Sequence, residues 1–442
     1  MTDITLVVLQ HGLWGKSSHM NYIEQSLTAQ FKDDPTVIIL NSKVNEGKYT
    51  YDGIDLCGQR LVDKIRSHVE ELAKDRKYVK KLSMVGYSLG GLITRYAIGL
   101  LDQEGFFNDG VKPGFYVTFA TPHMGVRRPK TSLFSRVFNF CSGHMVSRTG
   151  EQLQLIDKFV GDTPLLVVLA SPGQPYYRAL QKFGTIRTYA NIKNDRTVPY
   201  WTAALMTVEY FDNLEGIDLA IDQDYPSIVT GCDVLDKSKK AKEPRRQSMS
   251  TKLRKALFYT LFPILFPVFL LFAFVYIGTQ GILSRFRVSK LLKASLSSPI
   301  GANTSTLSTS TFSPPSPALP TTTSLSDKSI HRHQSAELLS GALDAININI
   351  DVGGPTEHKS SHPLGNWCNV EPSESLKKRS TQYLFDSHVV EIQKNLRNLP
   401  WQTVLVCLHS FNAHGSIVCR QGIHTTNGGK AVIKHFLDTV PV

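Results

Sequence analysis

The residue whose setting most clearly predicts chemistry is Ser88, at the centre of the pentapeptide G-Y-S-L-G over residues 86–90. The pattern G-x-S-x-G is weak on its own, but here a short apolar stretch precedes it and a helical pattern follows it. That order predicts a nucleophile elbow, in which glycines let a strand turn sharply into a helix and leave the serine exposed. We therefore expect Ser88 to attack an acyl ester.

The partners that Ser88 needs follow it in the chain order expected of such an elbow, the acid first and the base second. Asp195 lies in N-D-R-T-V-P just after a predicted strand, where it could orient a histidine, although an Asx turn would use the same residue. His414 follows the last predicted strand and is the expected general base. The rival residues are Asp157, Asp162, His409, His424 and His123, the last of which is expected to shape the wall of the site.

The oxyanion formed in acyl transfer needs N–H donors that are fixed before the reaction. The amide of Leu89, at the start of the predicted helix, is one candidate. Leu13 lies in H-G-L-W-G over residues 11–15, after an early strand, and its amide is the second candidate. A glycine turn with a packed Trp14 is the alternative for this loop. No cofactor or metal is expected, because the six cysteines are scattered without zinc-ligand spacing.

The elements that must position these residues alternate between short apolar runs and helical patterns from Ile4 to Ala204, which predicts parallel βαβ units. Residues Ile54 to Leu72 predict an amphipathic helix that covers the sheet. The predicted strands are Leu6–Gln10, Thr36–Leu40, Lys81–Gly86, Gly114–Ala120, Leu165–Ala170, Thr185–Ile192 and Gln402–Leu408. The predicted fold class is α/β, an α/β-hydrolase with a mostly parallel central sheet.

The formal net charge of +12 comes from one region of the chain. Residues 237–293 contain 13 Lys and Arg against the single acid Glu243, so the remainder of the chain is neutral. This location argues against a nucleic-acid partner and favours a membrane surface. The cysteines are interpreted as reduced cytosolic thiols, and the chain start shows no pattern of a secretory signal.

Two segments divide the predicted hydrolase domain. Residues 256–284 carry no charged side chain over 29 positions and are broken only by Pro263 and Pro267, which predicts a membrane-embedded segment, with a buried core helix as the alternative. The Ser/Thr/Pro-rich composition that follows predicts a largely disordered linker. The predicted parts are residues 1–235 (hydrolase, N-terminal part), 236–293 (basic-flanked membrane hairpin), 294–378 (linker) and 379–442 (hydrolase, C-terminal part with His414).

The apolar segment is predicted to enter and leave the lipid on the same face. Ser88 and Asp195 precede it and His414 follows it, yet all three must meet within hydrogen-bond reach. No second apolar stretch of about 18 residues would return the chain after one crossing. A hairpin with both ends in the cytosol suits a lipid monolayer. The predicted location is therefore the cytosolic face of a lipid droplet, with the endoplasmic reticulum membrane as a second location.

Several motifs together resemble the putative serine esterase family, which includes the fungal lipid-droplet phospholipase. They are H-G-L-W-G (11–15), Y-D-G-I-D (51–55), the elbow with R-Y (95–96), T-P-H-M-G (121–125), G-E-Q-L (150–153), D-R-T-V-P (195–199) and A-H (413–414). The resemblance covers residues 1–205 and 379–420. It implies an α/β-hydrolase that cleaves acyl esters of glycerophospholipids without a metal, with Ser88, Asp195 and His414 as its triad.

Other functions remain open from the sequence alone. The same triad would serve a neutral-lipid (acylglycerol) lipase or a transacylase, because acyl-chain pockets are built from apolar residues that leave no motif. A non-enzymatic droplet protein that recruits partners through its basic region is a third hypothesis. Residues Thr131–Thr149 are interpreted either as a lid or as a surface helix.

Overall fold

A six-stranded, wholly parallel sheet is the centre of the computed structural model. The structure describes residues 1–129, 132–211, 214–235, 271–272, 274–293, 367–410, 412–422 and 425–441. In sheet order the strands are β2 (Val37–Asn41), β1 (Thr2–Gln10), β3 (Lys77–Tyr87), β4 (Lys112–Phe119), β5 (Thr185–Asn191) and β10 (Trp401–Val406). The C-terminal strand β10 therefore lies at the edge of the sheet beside β5, in parallel register with it.

In the described parts of the chain, four short strands lie outside the central sheet. Strands β7 (Ile217–Ile221) and β8 (Val229–Val234) form an antiparallel hairpin, and β6 (Val208–Glu209) pairs with β9 (Thr381–Gln382). The β8 hairpin is joined to the main sheet, because Ile228 forms an isolated bridge with Val406. The chain that leads toward the predicted membrane segment is thus attached to the hydrolase body.

Helices cover both faces of the sheet. Successive β1 residues alternate between two hydrophobic clusters, Leu6 in one and Val7 in the other, because neighbouring strand residues point to opposite faces. Both faces are buried, which explains why these strands are continuous apolar runs. The helices are α1 (Asn21–Gln30), α2 (Ile54–Lys74), α3 (Leu89–Gln103), α4 (Leu133–Met145), α5 (Ser147–Leu153), α6 (Leu165–Ala170), α7 (Pro175–Gln181), α8 (Tyr200–Ala203), α9 (274–293), α10 (Glu374–Arg379), α11 (Ser387–Arg397), α12 (Ala413–Ser416) and α13 (Asn427–Thr439).

The predicted α/β-hydrolase sheet and the helix over Ile54–Leu72 are confirmed, but one predicted strand is wrong. Residues Leu165–Ala170 form the short helix α6, whose six residues are all buried. A short, wholly apolar run has no periodicity that separates a buried strand from a buried helix. Its helical start is favoured by Asp157, whose Oδ2 accepts a hydrogen bond from the Leu165 N–H at 2.9 Å.

The predicted membrane segment and linker are only partly described. Within the predicted segment, 274–284 begin α9, whereas 256–270 lie outside the described residues. None of the helices that the structure describes is both long and apolar enough to cross a membrane. At the other end, Trp367 already packs against His435, at 4.5 Å between ring centroids, and α10 follows. The described end of the predicted linker, from Trp367 onward, therefore packs against the hydrolase body.

A buried carboxylate, Asp52, fixes α9 to the hydrolase body. Its side chain is fully buried and forms ion pairs with Arg60 and Arg287, and Arg287 Nε lies 3.0 Å from Asp52 Oδ2. Ser284, also on α9, donates a hydrogen bond to Asp52 Oδ1 at 2.7 Å. A buried charge is tolerated only when it is paired and hydrogen-bonded, and α9 supplies two of the three side chains that contact the Asp52 carboxylate.

Replacing Arg287 by Ala should loosen α9. Arg60 would still face Asp52, so we expect the opening free energy of α9 to fall by about 2 kcal/mol, less than for a wholly unpaired buried charge. Amide hydrogen exchange over residues 281–288 should then be roughly 30-fold faster. The matched control is Arg285→Ala, which removes a pair between Glu151 and a half-exposed arginine and should cost under about 1 kcal/mol. Equal exchange rates in both variants would contradict this role of Arg287.

Candidate active site

Ser88 lies on a sharp turn between β3 and α3. Its backbone has φ 55° and ψ −126°, a conformation that residues with a side chain rarely adopt. The Ser88 N–H donates to the Phe119 carbonyl on β4 at 2.8 Å, which ties the turn to the neighbouring strand. Such strain is maintained only where the surrounding structure enforces it, and it is common at catalytic residues.

Glycines make this turn possible because no side chain would fit. A Cβ on Gly86 would collide with the backbone of Gly91, and one on Gly90 would collide with the Gln10 carbonyl. The predicted reason for the glycines, a close approach of strand and helix, is thus found in the packing around Ser88.

The structure brings Ser88, Asp195 and His414 into one hydrogen-bonded chain. His414 Nε2 is 3.0 Å from Ser88 Oγ, and His414 Nδ1 is 2.8 Å from Asp195 Oδ2. The side chains of His414 and Asp195 are 8% and 2% exposed, so water scarcely competes for these bonds. With Nδ1–H donating to the carboxylate, Nε2 is free to accept the hydroxyl proton of Ser88.

Backbone groups fix the carboxylate of Asp195. Its Oδ1 accepts hydrogen bonds from the N–H groups of Thr197 at 3.0 Å and Val198 at 2.8 Å. This is the Asx turn that the sequence left as an alternative, and the same side chain uses its second oxygen for His414. The two interpretations are therefore compatible.

Three residues that hold His414 were missed by sequence reasoning. The Tyr87 hydroxyl donates to the His414 carbonyl at 3.0 Å, and its ring lies 5.1 Å from the imidazole. Asn412 Oδ1 accepts from the His414 N–H at 3.3 Å, and the Asn194 carbonyl accepts from the Ala413 N–H at 3.1 Å. Tyr87 and Asn194 adjoin predicted site residues, and that adjacency was the one available signal.

The loop that carries Leu13 runs directly against the nucleophile. A Cβ on Gly12 would lie 2.6 Å from Ser88 Cβ and 3.1 Å from Ser88 Oγ, so only glycine fits there. Leu89, the other predicted donor, is the first residue of α3, where a helix leaves its N–H groups without intrahelical acceptors. Both predicted oxyanion donors thus belong to segments that border Ser88.

Buried polar groups hold this oxyanion loop in place. His11 Nδ1 is 3.0 Å from the Gly12 carbonyl, and burial lowers the pKa of His11, so the ring is neutral and can donate from Nδ1. The backbone N–H of Trp14 donates a hydrogen bond to Thr50 Oγ1 at 3.0 Å, and the Trp14 ring lies 6.2 Å from the ring of Tyr51. Trp14 is packed as the alternative interpretation of the loop supposed, with a left-handed φ of 55°.

The rival residues lie elsewhere. Asp157 holds the start of α6, and Asp162 pairs with Lys158 at the surface. His409 contacts Lys193 Nζ at 3.2 Å. His123 is fully buried, bonds to Thr118 Oγ1 at 3.0 Å and has its pKa lowered by burial, while His424 lies outside the described residues.

A cavity of about 340 Å³ adjoins the catalytic acid. Asp195 and Trp201 form part of its wall, and Arg128 and Ser135 bring in the segment around α4. Helix α4 lies within the residues interpreted as a lid or a surface helix, and it borders this cavity. Across the described ranges, no three His, Cys, Asp or Glu side chains form a group that could hold a metal ion.

Together, the parallel sheet, the elbow serine after β3 and the histidine after β10 form the arrangement that is found in serine hydrolases with the α/β-hydrolase fold. Residues 2–206 match the family model described as "Putative serine esterase (DUF676)". The matched region contains Ser88 and Asp195 but ends well before His414.

Curated fungal relatives share the same part of the chain. "Putative lipase ROG1" of Saccharomyces cerevisiae is 32% identical over 213 residues, which are 48% of this chain and 30% of the relative. "Putative lipase C4A8.10" of Schizosaccharomyces pombe is 27% identical over 205 residues, 45% of this chain and 26% of the relative. The chain thus spans less than a third of the length of either relative.

Solved structures resemble the chain only distantly. Phospholipase PlaB from Legionella pneumophila in complex with thio-NAD is 13% identical, with a TM-score of 0.29, over 45% of this chain and 41% of that one. The Bacillus licheniformis lipase BlEst2 in propeptide form is 15% identical, with a TM-score of 0.28, over 43% and 36%. Likeness at this level carries no argument about substrate.

Gly12→Ala should impair catalysis more than binding. The added methyl group would meet Ser88, so the loop must move and take the Leu13 amide away from the oxyanion position. Loss of one such donor lowers kcat by about 100-fold or more, and we expect a smaller change in KM on a water-soluble ester. Gly173→Ala is the control, because a Cβ there meets no atom within 4 Å. Equal kcat values for the two variants would contradict the assignment of the Leu13 amide as an oxyanion donor.

Proposed function

We propose that this protein is a carboxylic ester hydrolase that acts as a phospholipase on the surface of lipid droplets. The observation that carries the proposal is the hydrogen-bonded chain from Ser88 through His414 to Asp195. The family resemblance and the lipase names of the fungal relatives favour a lipid ester as substrate.

The reaction proceeds in two acyl-transfer steps. Ser88 Oγ attacks the acyl carbonyl while His414 Nε2 takes its proton, and the amides of Leu13 and Leu89 stabilise the oxyanion. His414 then protonates the leaving glycerol oxygen, which leaves an acyl group on Ser88. Water, deprotonated by His414, cleaves this ester and releases the fatty acid. Asp195 keeps the imidazole in the required tautomer and orientation.

The purified full chain tests the substrate. Given a mixture of phosphatidylcholine, triacylglycerol and monoacylglycerol, it should release fatty acid and lysophospholipid, identified by mass spectrometry. Ser88→Ala should abolish release and labelling by a fluorophosphonate, because no other group supplies the covalent step. Release only from the acylglycerols would instead identify a neutral-lipid lipase, and transfer to an added lipid alcohol a transacylase. An unlabelled wild-type chain would favour a non-enzymatic protein.

The proposed location is supported by the two ends of the segment that the structure leaves undescribed. Before it, β8 adjoins the sheet through the bridge between Ile228 and Val406. After it, α9 is bound to Asp52 through Arg287. Both ends belong to one body, so an apolar segment between them must return to the side from which it left. A monolayer around a lipid droplet accepts such a segment because it has no aqueous far side.

Deleting residues 257–270 should abolish droplet association without abolishing ester hydrolysis. This deletion removes about half of the uncharged run but keeps α9, so the variant should hydrolyse a water-soluble short-chain ester while losing droplet association in cells. The control is an equally long deletion over residues 305–318 in the Ser/Thr/Pro-rich region, which should leave association intact. Droplet association unchanged by the first deletion would contradict the anchor.

A further inference from the structure

Helix α4 has an apolar stripe that faces solvent. Leu133, Val137 and Phe140 are spaced four and three residues apart, which places them on one face of the helix. All three are exposed, Phe140 by 65% of its surface. An ordinary surface helix turns its apolar stripe toward the core, so the outward stripe of α4 calls for a partner.

Helix α9 has one buried face and one exposed apolar face. The face that includes Gly281, Ser284 and Val288 is buried against the body. The other face keeps large side chains in solvent, and Phe286 is 72% exposed. Exposed apolar residues described at or just before α9 are Leu271, Phe272, Phe274, Val275, Ile282, Leu283, Phe286 and Leu292.

These two helices adjoin each other. A Cβ on Gly281 of α9 would collide with the carbonyl of Met145, the last residue of α4. Arg285 of α9 also pairs with Glu151 of α5 at 2.6 Å. The two helices are therefore neighbours, and we call their exposed faces together the α4/α9 surface.

The charge of the α4/α9 surface limits its partner. Arg136, Arg285, Lys290 and Lys293 are exposed on these helices, and neither helix contains an Asp or Glu. A second copy of the same surface would bring like charges together. Exposed apolar rings flanked by Lys and Arg suit an anionic lipid surface, which takes the rings among its acyl chains and attracts the cations.

The buried faces of α4 and α9 both point toward the active-site region. Ser135 of α4 lines the cavity that reaches Asp195. On the other side, α9 is bound to Asp52, and the nearby Thr50 accepts the hydrogen bond from Trp14 of the oxyanion loop. A lipid layer against the α4/α9 surface would thus be separated from the cavity beside Asp195 by helix α4.

We infer that the outward faces of α4 and α9 form a lipid-contacting surface that holds the active site against an anionic lipid layer. The inference rests on the proposed lipid-surface function but assigns the contact to residues outside the apolar run over 256–270. Membrane insertion by that run alone would not fix the orientation of the active site relative to the lipid layer. Two rigid helices, one fixed by a buried ion pair, define it.

Fluorescent probes test the contact directly. Cys141 and Cys368, the two cysteines that are not buried, are first changed to Ser, and an environment-sensitive fluorophore is attached to Phe140→Cys, Phe286→Cys or the control Val390→Cys. The vesicles contain diether phosphatidylcholine and phosphatidylserine, which cannot be hydrolysed. We expect a blue shift and quenching by brominated acyl chains at positions 140 and 286, but not at 390.

The outcomes separate this inference from the proposed function. Water-like emission at positions 140 and 286 on vesicles that bind the protein would overturn the lipid contact, whatever the enzyme hydrolyses. A blue shift without vesicles that grows with protein concentration would identify a second copy as the partner instead. If the probes insert into the vesicles but the protein releases no fatty acid from ester lipids, the lipid contact would be supported and the proposed phospholipase activity would be contradicted.

A charge variant tests the consequence for turnover. Val137→Asp combined with Phe286→Asp should lower fatty-acid release from phospholipid vesicles by about tenfold or more, because two apolar side chains no longer enter the lipid. Hydrolysis of a water-soluble ester should stay within about twofold, since neither residue touches the triad. Release from phospholipid vesicles that is unchanged in this variant would contradict the surface, since the two side chains would then be dispensable for lipid contact.

Discussion

The position of His414 is the constraint on which the rest of the structure depends. Its imidazole must bond to Ser88 and to Asp195 at once, although 326 and 219 residues of chain separate it from them. Strand β10 meets this requirement by adding to the sheet beside β5, which places the loop with His414 next to the loop with Asp195. The long insertion between the two parts of the domain must therefore begin and end on the same body.

A second constraint is the absence of space around the nucleophile. The carbonyl of Gln10, the backbone of Gly91 and the loop at Gly12 all approach the elbow so closely that a methyl group would not fit. This crowding holds Ser88 in its strained conformation and brings the oxyanion loop within reach of the reacting atoms. Buried supports, among them neutral His11, keep that loop rigid without adding a charge beside the developing oxyanion.

The sequence was sufficient wherever local pattern and chain order carry the information. Most of the central strands and the residues of the site follow from apolar runs, an elbow motif and the order of acid and base. Helix α6 could not be predicted, because six apolar residues fit a strand as well as a buried helix. The contact between Asp52 and Arg287 was also missed, since it joins residues 235 positions apart and no periodicity links them.

The late arrival of β10 has a consequence for the newly made chain. During synthesis the first five strands of the sheet can assemble while β10 is still missing, and its pairing with β5 closes a loop of more than 200 residues. Until then no base stands beside Ser88. The uncharged run leaves the ribosome well before His414, so it is free to make contacts before the hydrogen bonds between Ser88, His414 and Asp195 can form.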